Sequence, residues 1–337
     1  MTSGIELRSD TFTTPTAEMR RAMADAEVGD DEYGEDPTVN RLQSLAASLL
    51  GTEAALYTPS GTMANQLAIR VLSRPGTEVL CPARSHVYQY ELAASPQNSG
   101  VQMHPLWDVP DGIGAAIEGM GHEFPPVSML TLENTYMAMS GTPTPAGEMR
   151  TLVGFARAGG LHVHVDGARI WNAAVATGSA PQELMGGADT AMFCLSKGLS
   201  APVGSVLCGA ADVIAEARVQ RRRLGGGMRQ AGVIAAAGIV ALETMVERLA
   251  DDHARAHALA GALAQRWPGS VDPATVRTNI VCARLGALPE HFVERLAAAG
   301  VRAGTIDPRT VRFVTHKDVD DDDIKRTIAA LDELRGD

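Results

Sequence analysis

An α/β fold with a mostly parallel central sheet, followed by a smaller α+β unit, is what this sequence predicts. Strand-like and helix-like segments alternate for most of the chain, the pattern of a sheet covered by helices on both faces. Beyond about residue 248 the order changes to strand, helix, strand, helix. Composition agrees: hydrophobic residues make up 45%, aromatics only 4%, and 34 glycines suit helices packed closely on a sheet. A chain of 337 residues is long enough for two such units. We expect them at 1–248 and 249–337.

Three helices announce themselves by a capping residue followed by proline: Thr14-Pro15, Asp36-Pro37 and Thr144-Pro145. After the second, Val39, Leu42, Leu45, Ala46 and Leu49 recur at helical spacing. Short buried strands are expected at Val79–Cys81, Val127–Leu132, Leu161–Val165, Thr190–Leu195 and Val203–Cys208, each followed by polar or glycine-rich residues. Pro96 to Pro126 has little period and reads as a crossover or an active-site loop. Long helices follow from Met228 to about Arg248 and from Asp251 to Arg266. The small unit then runs as strand Thr275–Ala283, helix Leu288–Ala299, strand Val311–Val314 and helix Asp320–Leu334.

Twenty-nine basic against forty acidic residues give a net charge of −11, which argues against nucleic acid or an anionic membrane as partner. Positive charge gathers at Arg221-Arg222-Arg223 and Arg229, either a solvated helix face or a place for a bound anion. Cys81, Cys194, Cys208 and Cys282 lie far apart among apolar residues and read as buried thiols, with no zinc or other metal site. The N-terminal stretch lacks the apolar core of a signal peptide, and the longest apolar run, Ala231 to Leu242, falls short of the about twenty residues that a bilayer needs. A cytoplasmic protein is expected.

The chemistry is carried by two polar groups just past apolar stretches: Asp166 in Leu161-His-Val-His-Val-Asp-Gly-Ala-Arg169, and Lys197, thirty-one residues later, in a Ser-Lys-Gly turn. An amine and a carboxylate delivered by separate strand ends are what a protein needs to hold pyridoxal phosphate (PLP). The lysine would bind the aldehyde carbon as an imine, and the carboxylate would keep the pyridine nitrogen protonated so that the ring accepts electrons. Alone, each is weak: most lysines are solvated, and Asp-Gly usually marks a turn.

Further groups complete the set. The run from Ala54 to Arg70 reads as strand, tight turn and helix, in which Gly61 lets backbone approach an anion while Ser60, Thr62 and the first helical amides donate to phosphate; a plain capped helix is the alternative. No lysine follows as in a Walker loop. His86 could stack on a cofactor ring or serve as an ordinary hydrogen-bonded histidine. Arg312 interrupts an apolar strand and needs an anionic partner, either a substrate carboxylate or an internal acid.

Six segments in order then resemble the signatures of low-specificity L-threonine aldolases: Ile5-Glu-Leu-Arg-Ser-Asp-Thr11, Val28-Gly-Asp-Asp-Glu-Tyr-Gly-Glu-Asp-Pro37, Pro59-Ser-Gly-Thr-Met-Ala-Asn-Gln66, His164-Val-Asp-Gly-Ala-Arg169, Leu195-Ser-Lys-Gly198 and Leu224-Gly-Gly-Gly-Met-Arg-Gln230. The resemblance covers nearly the whole chain. It implies a fold-type I PLP enzyme, a homotetramer with sites between paired subunits. It implies Lys197 as the imine-forming lysine, Asp166 as pyridine partner, Ser60, Gly61 and Thr62 as phosphate loop and His86 as stacking group. Ser9, Arg169 and Arg312 would surround the substrate carboxylate, with Arg169 also beside the cofactor. Tyr33, Arg222 and Arg229 would reach in from the neighbouring subunit toward substrate and phosphate.

One departure is Tyr136, which stands where relatives commonly carry histidine near the substrate's β-hydroxyl; an unperturbed pKa of about 10 makes tyrosine a donor rather than a base at neutral pH. Arg222 stands where lysine is frequent. The expected activity is cleavage of threonine, allo-threonine and related β-hydroxy-α-amino acids to glycine and an aldehyde, with His86, Tyr136 or an ordered water taking the hydroxyl proton. A β-eliminating lyase giving keto acid and ammonia, and a PLP-binding protein without turnover, are the competing readings.

Overall fold

Runs of apolar and β-branched residues bounded by turn residues become strands. In the computed structural model, residues 4–119 and 123–335 are described; residues 1–3 of the N-terminal stretch and 120–122 of the Pro96–Pro126 segment lie outside them. Among the described residues the strands are β1 (Ile5–Glu6), β2 (Ala54–Thr58), β3 (Glu78–Pro82), β4 (Gln102–Leu106), β5 (Val127–Glu133), β6 (His162–Asp166), β7 (Thr190–Cys194), β8 (Ser205–Gly209), β9 (Ile280–Arg284), β10 (Val301–Arg302), β11 (Gly304–Asp307) and β12 (Thr310–Val314).

Seven of them form the central sheet in the order β2-β8-β7-β6-β5-β3-β4. From β7 to β4 every pairing is parallel, whereas β8 runs antiparallel to both β2 and β7. The ends of β2, β7, β6, β5 and β3 therefore share one sheet edge. Open α/β sheets bind ligands outside the carboxyl ends of their strands, and here that edge gathers the residues following Thr58, Cys194, Asp166, Glu133 and Pro82. The mostly parallel sheet flanked by helices is the architecture expected from the sequence.

Asp36 caps the helix Pro37–Leu50 through its bond from the Val39 amide, with Pro37 in the first turn, as the dipeptide predicts. The other two proline signals sit earlier than the helices they precede. Thr16, not Thr14, caps Ala17–Ala24, and Pro145 itself precedes Ala146–Ala158. The Pro96–Pro126 segment holds more order than its sequence suggests, with β4 and the helix Val109–Glu118 capped by Asp108. As the sheet's edge strand β4 tolerates Pro105, whose missing N–H costs no ladder bond on the open side. β8 starts two residues late because Gly204 turns with φ +106° against the Tyr57 ring, where a Cβ would come within 2.4 Å.

After the helices Gly232–Thr244 and Leu249–Arg266, β9 pairs antiparallel with β12, and β12 with β11. Helices Phe292–Ala298 and Asp321–Arg335 complete this unit. The strand expected from Thr275 begins only at Ile280, since Asp272 and Pro273 nucleate a short 3-10 turn first. Its core of Leu259, Leu263, Phe292, Phe313 and Leu331 is distinct from that beneath the large sheet. Ile5 and Leu7 pack into this second core, and β1 pairs with β10, so the N-terminal segment belongs to it structurally. No helix among the described residues is long and apolar enough to cross a membrane.

Candidate active site

Ser60, two residues past β2, caps the helix Gly61–Leu72, its hydroxyl oxygen accepting from the Met63 amide at 3.1 Å. Gly61 is required by what lies beneath it: a Cβ there would come within 2.9 Å of Cys194 Sγ and 3.0 Å of Met192 Cε. Ser60 and Thr62 are exposed. The result is a helix start of free amides and hydroxyls open to solvent, the arrangement that holds a phosphate.

Across the sheet edge, Lys197 follows β7 in a turn tied down at its carbonyl, which accepts from Thr13 Oγ1 at 2.9 Å and from the Ser200 amide at 2.8 Å. Its half-buried amine makes no ion pair or hydrogen bond among the described residues, leaving the nitrogen free for covalent chemistry. On the neighbouring strand β6, buried Asp166 accepts from the Ala168 amide at 3.0 Å through one oxygen and from Asn65 Nδ2 at 2.8 Å through the other.

Asn65 does more than brace Asp166. The same Nδ2 donates to Glu91 Oε1 at 2.8 Å, and Glu91 in turn meets His86 Nδ1 at 3.0 Å and Gln66 Nε2 at 2.7 Å. With both amide hydrogens committed, Asn65 Oδ1 must accept from His164 Nε2, 3.0 Å away, and His164 Nδ1 then accepts from Thr190 Oγ1 at 2.8 Å. Burial, outweighing the nearby Asp166 charge, pushes the His164 pKa down to about 4, which keeps this imidazole neutral. The ligand-type atoms of His86, Glu91 and Asp166 lie within 4.8 Å of one another, with the Asn65 amide bonded to both carboxylates.

His86 itself is steered by two carboxylates: its backbone amide donates to Glu133 Oε2 at 2.8 Å while its ring meets Glu91. Burial disfavours the charged imidazole, but the Glu91 bond and the charge of Asp166 overcome this and lift its pKa above the ordinary range. Glu133 ends β5 in register with Asp166 on β6, and burial together with that neighbouring charge pushes its pKa up to about 7. Tyr136 accepts from the Arg84 amide at 3.2 Å, so its own O–H is left to donate. Burial and the Glu133 charge push the phenol up to about 12.

The arginines divide by partner. Buried Arg169 gives two N–H groups to Asp10, at 2.7 and 2.6 Å, so its charge is already neutralised. Burial alone would raise the Asp10 pKa, yet the Arg169 charge holds it far below the usual carboxylate range. Among the described residues Arg312 pairs with no carboxylate: its contacts are Arg8 O at 3.0 Å and Met137 Sδ at 3.1 Å, and its Nε is buried without a partner. Burial and the Arg169 charge depress its pKa. A half-buried guanidinium with an unpartnered N–H lacks the anionic partner that offsets its burial. Ser9 sits beside the clamp, capping the turn that carries Asp10 and accepting from Thr11.

Tyr33, Arg222 and Arg229 lie elsewhere in the chain. Tyr33 is 78% exposed, while Arg222 and Arg229 pair with Glu32 at 3.6 and 2.9 Å, and Arg229 also with Asp30. No hydrogen bond or ion pair among the described residues joins these three side chains to Lys197, Asp166 or His86. Arg221, in the same basic run, is buried and bonds Asp31 and the Tyr57 carbonyl. All four cysteines are free thiols, three buried and Cys282 half-buried.

Sequence reasoning missed Asn65, Glu91, Asp10 and Glu133. Asn65 and Asp10 did stand inside quoted motifs, and the only signal for a role was a polar residue on an otherwise apolar helix face or next to a serine cap. The residues present fit PLP: a helix start stripped of any Cβ at Gly61, an unpartnered amine at Lys197, and a buried carboxylate held by two N–H groups at Asp166.

Comparison with known proteins follows the same line. The model of the family described as beta-eliminating lyase matches residues 6–285. A low specificity L-threonine aldolase of Escherichia coli O157:H7 is 40% identical over 326 residues, covering 94% of each chain. A probable low-specificity L-threonine aldolase 2 of Arabidopsis thaliana is 37% identical over 343 residues, covering 98% of this chain and 97% of the relative. Among solved structures, a threonine aldolase of Leishmania major superposes with TM-score 0.84 at 18% identity over 98% of this chain and 100% of that one.

Proposed function

The chain belongs to the beta-eliminating lyase family, and from that membership we propose a PLP-dependent carbon–carbon lyase that cleaves threonine, allo-threonine and related β-hydroxy-α-amino acids to glycine and an aldehyde. The threonine aldolases that match almost end to end at 37–40% identity support this reading. The observation that carries it on the chain itself is Arg312, a partly buried cation with a bare Nε that touches Met137 just past β5 and feels the charges of Arg169 and Asp10.

Lys197 would hold the aldehyde carbon of PLP, Asp166 its pyridine nitrogen, His86 its ring face, and Ser60, Gly61 and Thr62 its phosphate, with Arg169 nearby. When bound, PLP supplies an electron sink for the pair released from the Cα–Cβ bond. Arg312, with Ser9 beside it, takes the substrate carboxylate in two parallel hydrogen bonds and so fixes which bond at Cα stands ready to break. Glu91 holds His86 Nδ1, so a neutral His86 presents Nε2 as the acceptor for the β-hydroxyl proton. Tyr136, kept protonated, donates to the oxygen that becomes the aldehyde.

The exposed cluster of Tyr33, Arg222 and Arg229 supports a homotetramer in which these side chains enter a neighbour's cleft. A division of the chain near residue 248, with the segment around Ile5 and Leu7 joining the later unit, is supported by its two cores. Four free thiols fit a reducing cytoplasm. Incubating the purified holoenzyme with both threonine isomers and phenylserine tests the activity. Glycine with the matching aldehyde is expected, with Lys197→Ala inactive and borohydride labelling Lys197 in the parent; ammonia with 2-oxobutanoate from threonine, or with phenylpyruvate from phenylserine, instead would overturn the reading.

A further inference from the structure

A cleft of about 1070 Å³ opens between the large sheet's edge and the small unit, and three arginines line it: Arg84, Arg284 and Arg309. They come from three separate places, the loop after β3, the end of β9 and the turn between β11 and β12. In a chain of net charge −11 this is a local excess of positive charge. The acid among the lining residues, Asp307, is engaged by the Arg309 amide at 2.7 Å and by Thr310 Oγ1 at 3.1 Å. Arg284 is turned onto the Gly269 carbonyl. The guanidinium groups of Arg84 and Arg309 make no hydrogen bond or ion pair among the described residues.

The cleft adjoins the catalytic groups along both walls. On the small unit, Arg312 pairs in register with Cys282 and Thr310 with Arg284, so Thr310 and Arg284 lie on the same sheet face as Arg312, two residues along, a step of about 7 Å. On the large unit, the Arg84 amide anchors Tyr136, and the Tyr90 ring, part of the cleft wall, lies 5.7 Å from the His86 ring. A substrate held at Arg312 with its β-hydroxyl at His86 and Tyr136 would extend its side chain toward these arginines.

We propose that the cleft recognises β-hydroxy-α-amino acids whose side chain ends in an anion, a carboxylate or a phosphate, an inference that rests on the aldolase reading above. Unpaired, solvent-exposed guanidinium groups in a concave wall select such a terminus by charge-assisted hydrogen bonds. Selection of this kind weakens as salt rises.

Phenylserines carrying a para carboxylate, a para phosphate ester or a neutral para carboxamide separate the possibilities, with threonine as control. On the holoenzyme we expect kcat/KM for at least one anionic compound to exceed that of the carboxamide by about tenfold at low salt, and by about onefold in the Arg84→Ala, Arg309→Ala double variant, where threonine is still cleaved. Calorimetric titration with 4-carboxyphenylalanine, which has no hydroxyl to react, gives a second readout: its Kd should lie about tenfold below that of 4-carbamoylphenylalanine and lose that advantage in the double variant. Equal constants for charged and neutral compounds, or a preference that survives the double substitution, overturns the proposal while threonine cleavage stands. Absence of threonine cleavage in the unsubstituted holoenzyme overturns the aldolase reading and this one with it.

Discussion

Asn65 Nδ2 lies 2.8 Å from Asp166 Oδ2 across 101 residues of sequence, and it spaces that carboxylate from Glu91. Replacing Asn65 with alanine strips a charge-assisted bond from Asp166 and leaves two buried acids facing each other. We expect PLP to bind about tenfold to a hundredfold more weakly, from the 1.5–3 kcal/mol range of such bonds, roughly. Dialysis against decreasing PLP, followed by absorbance, measures it. An unchanged Kd would show that Asp166 holds its place without the amide.

Glu91 raises the basicity of His86, so Glu91→Gln should lower the imidazole's pKa. A base works in its neutral form, and kcat/KM therefore rises as pH climbs through that pKa. The acid limb of the profile should move to lower pH in the variant, extending activity into more acidic buffer. A limb that stays where it was would remove His86 as the proton acceptor.

Tyr136 is a donor at neutral pH because its phenol is pushed up to about 12. Tyr136→Phe should cut kcat/KM for threonine by about tenfold, the value of one lost hydrogen bond. Tyr136→His places a titratable group near the β-carbon and should alter the threo-to-erythro ratio. Identical isomer ratios in parent and histidine variant would take this side chain out of the stereochemical step.

The Asp10–Arg169 clamp is buried on both sides. Asp10→Asn leaves Arg169 an uncompensated buried charge and should cost about 3–5 kcal/mol in urea unfolding of the apoprotein. Because the Asp10 pKa is depressed in the fold, its stabilisation is complete above the ordinary carboxylate range and lost as pH falls through the lowered value. The variant's stability should accordingly fall less steeply with acid. A variant as stable as the parent at pH 7 would mean that water reaches Arg169.

Lys197 and Asp166 were legible in the sequence because Asp166 ends an apolar strand and Lys197 comes three residues after one, so local pattern alone delivers them to the sheet edge. Asp36-Pro37 was legible for the same reason, its cap being purely local. β4 and the helix after it were not: an edge strand is half exposed and shows no apolar run, and Gly112 and Gly114 blur the helical period. The network of Asn65, Glu91 and His164 was invisible because its members are joined only through tertiary contacts. A polar residue that is buried by such contacts looks in sequence like any surface residue.

The pairing of Ile5 with Val301 ties the order of synthesis to the order of assembly. A nascent chain carries Ser60, Gly61 and Lys197 on a sheet that is complete by Gly209, while residues 5–7 still lack the strand they will join. Arg312 and the partners of Leu7, Arg302 and Val314, emerge about a hundred residues later. A chain truncated ahead of Val301 would therefore keep Ser60, Lys197 and Asp166 and lose Arg312, so that, on the roles proposed above, premature termination removes the arginine for the amino acid's carboxylate after the cofactor's holders have been made.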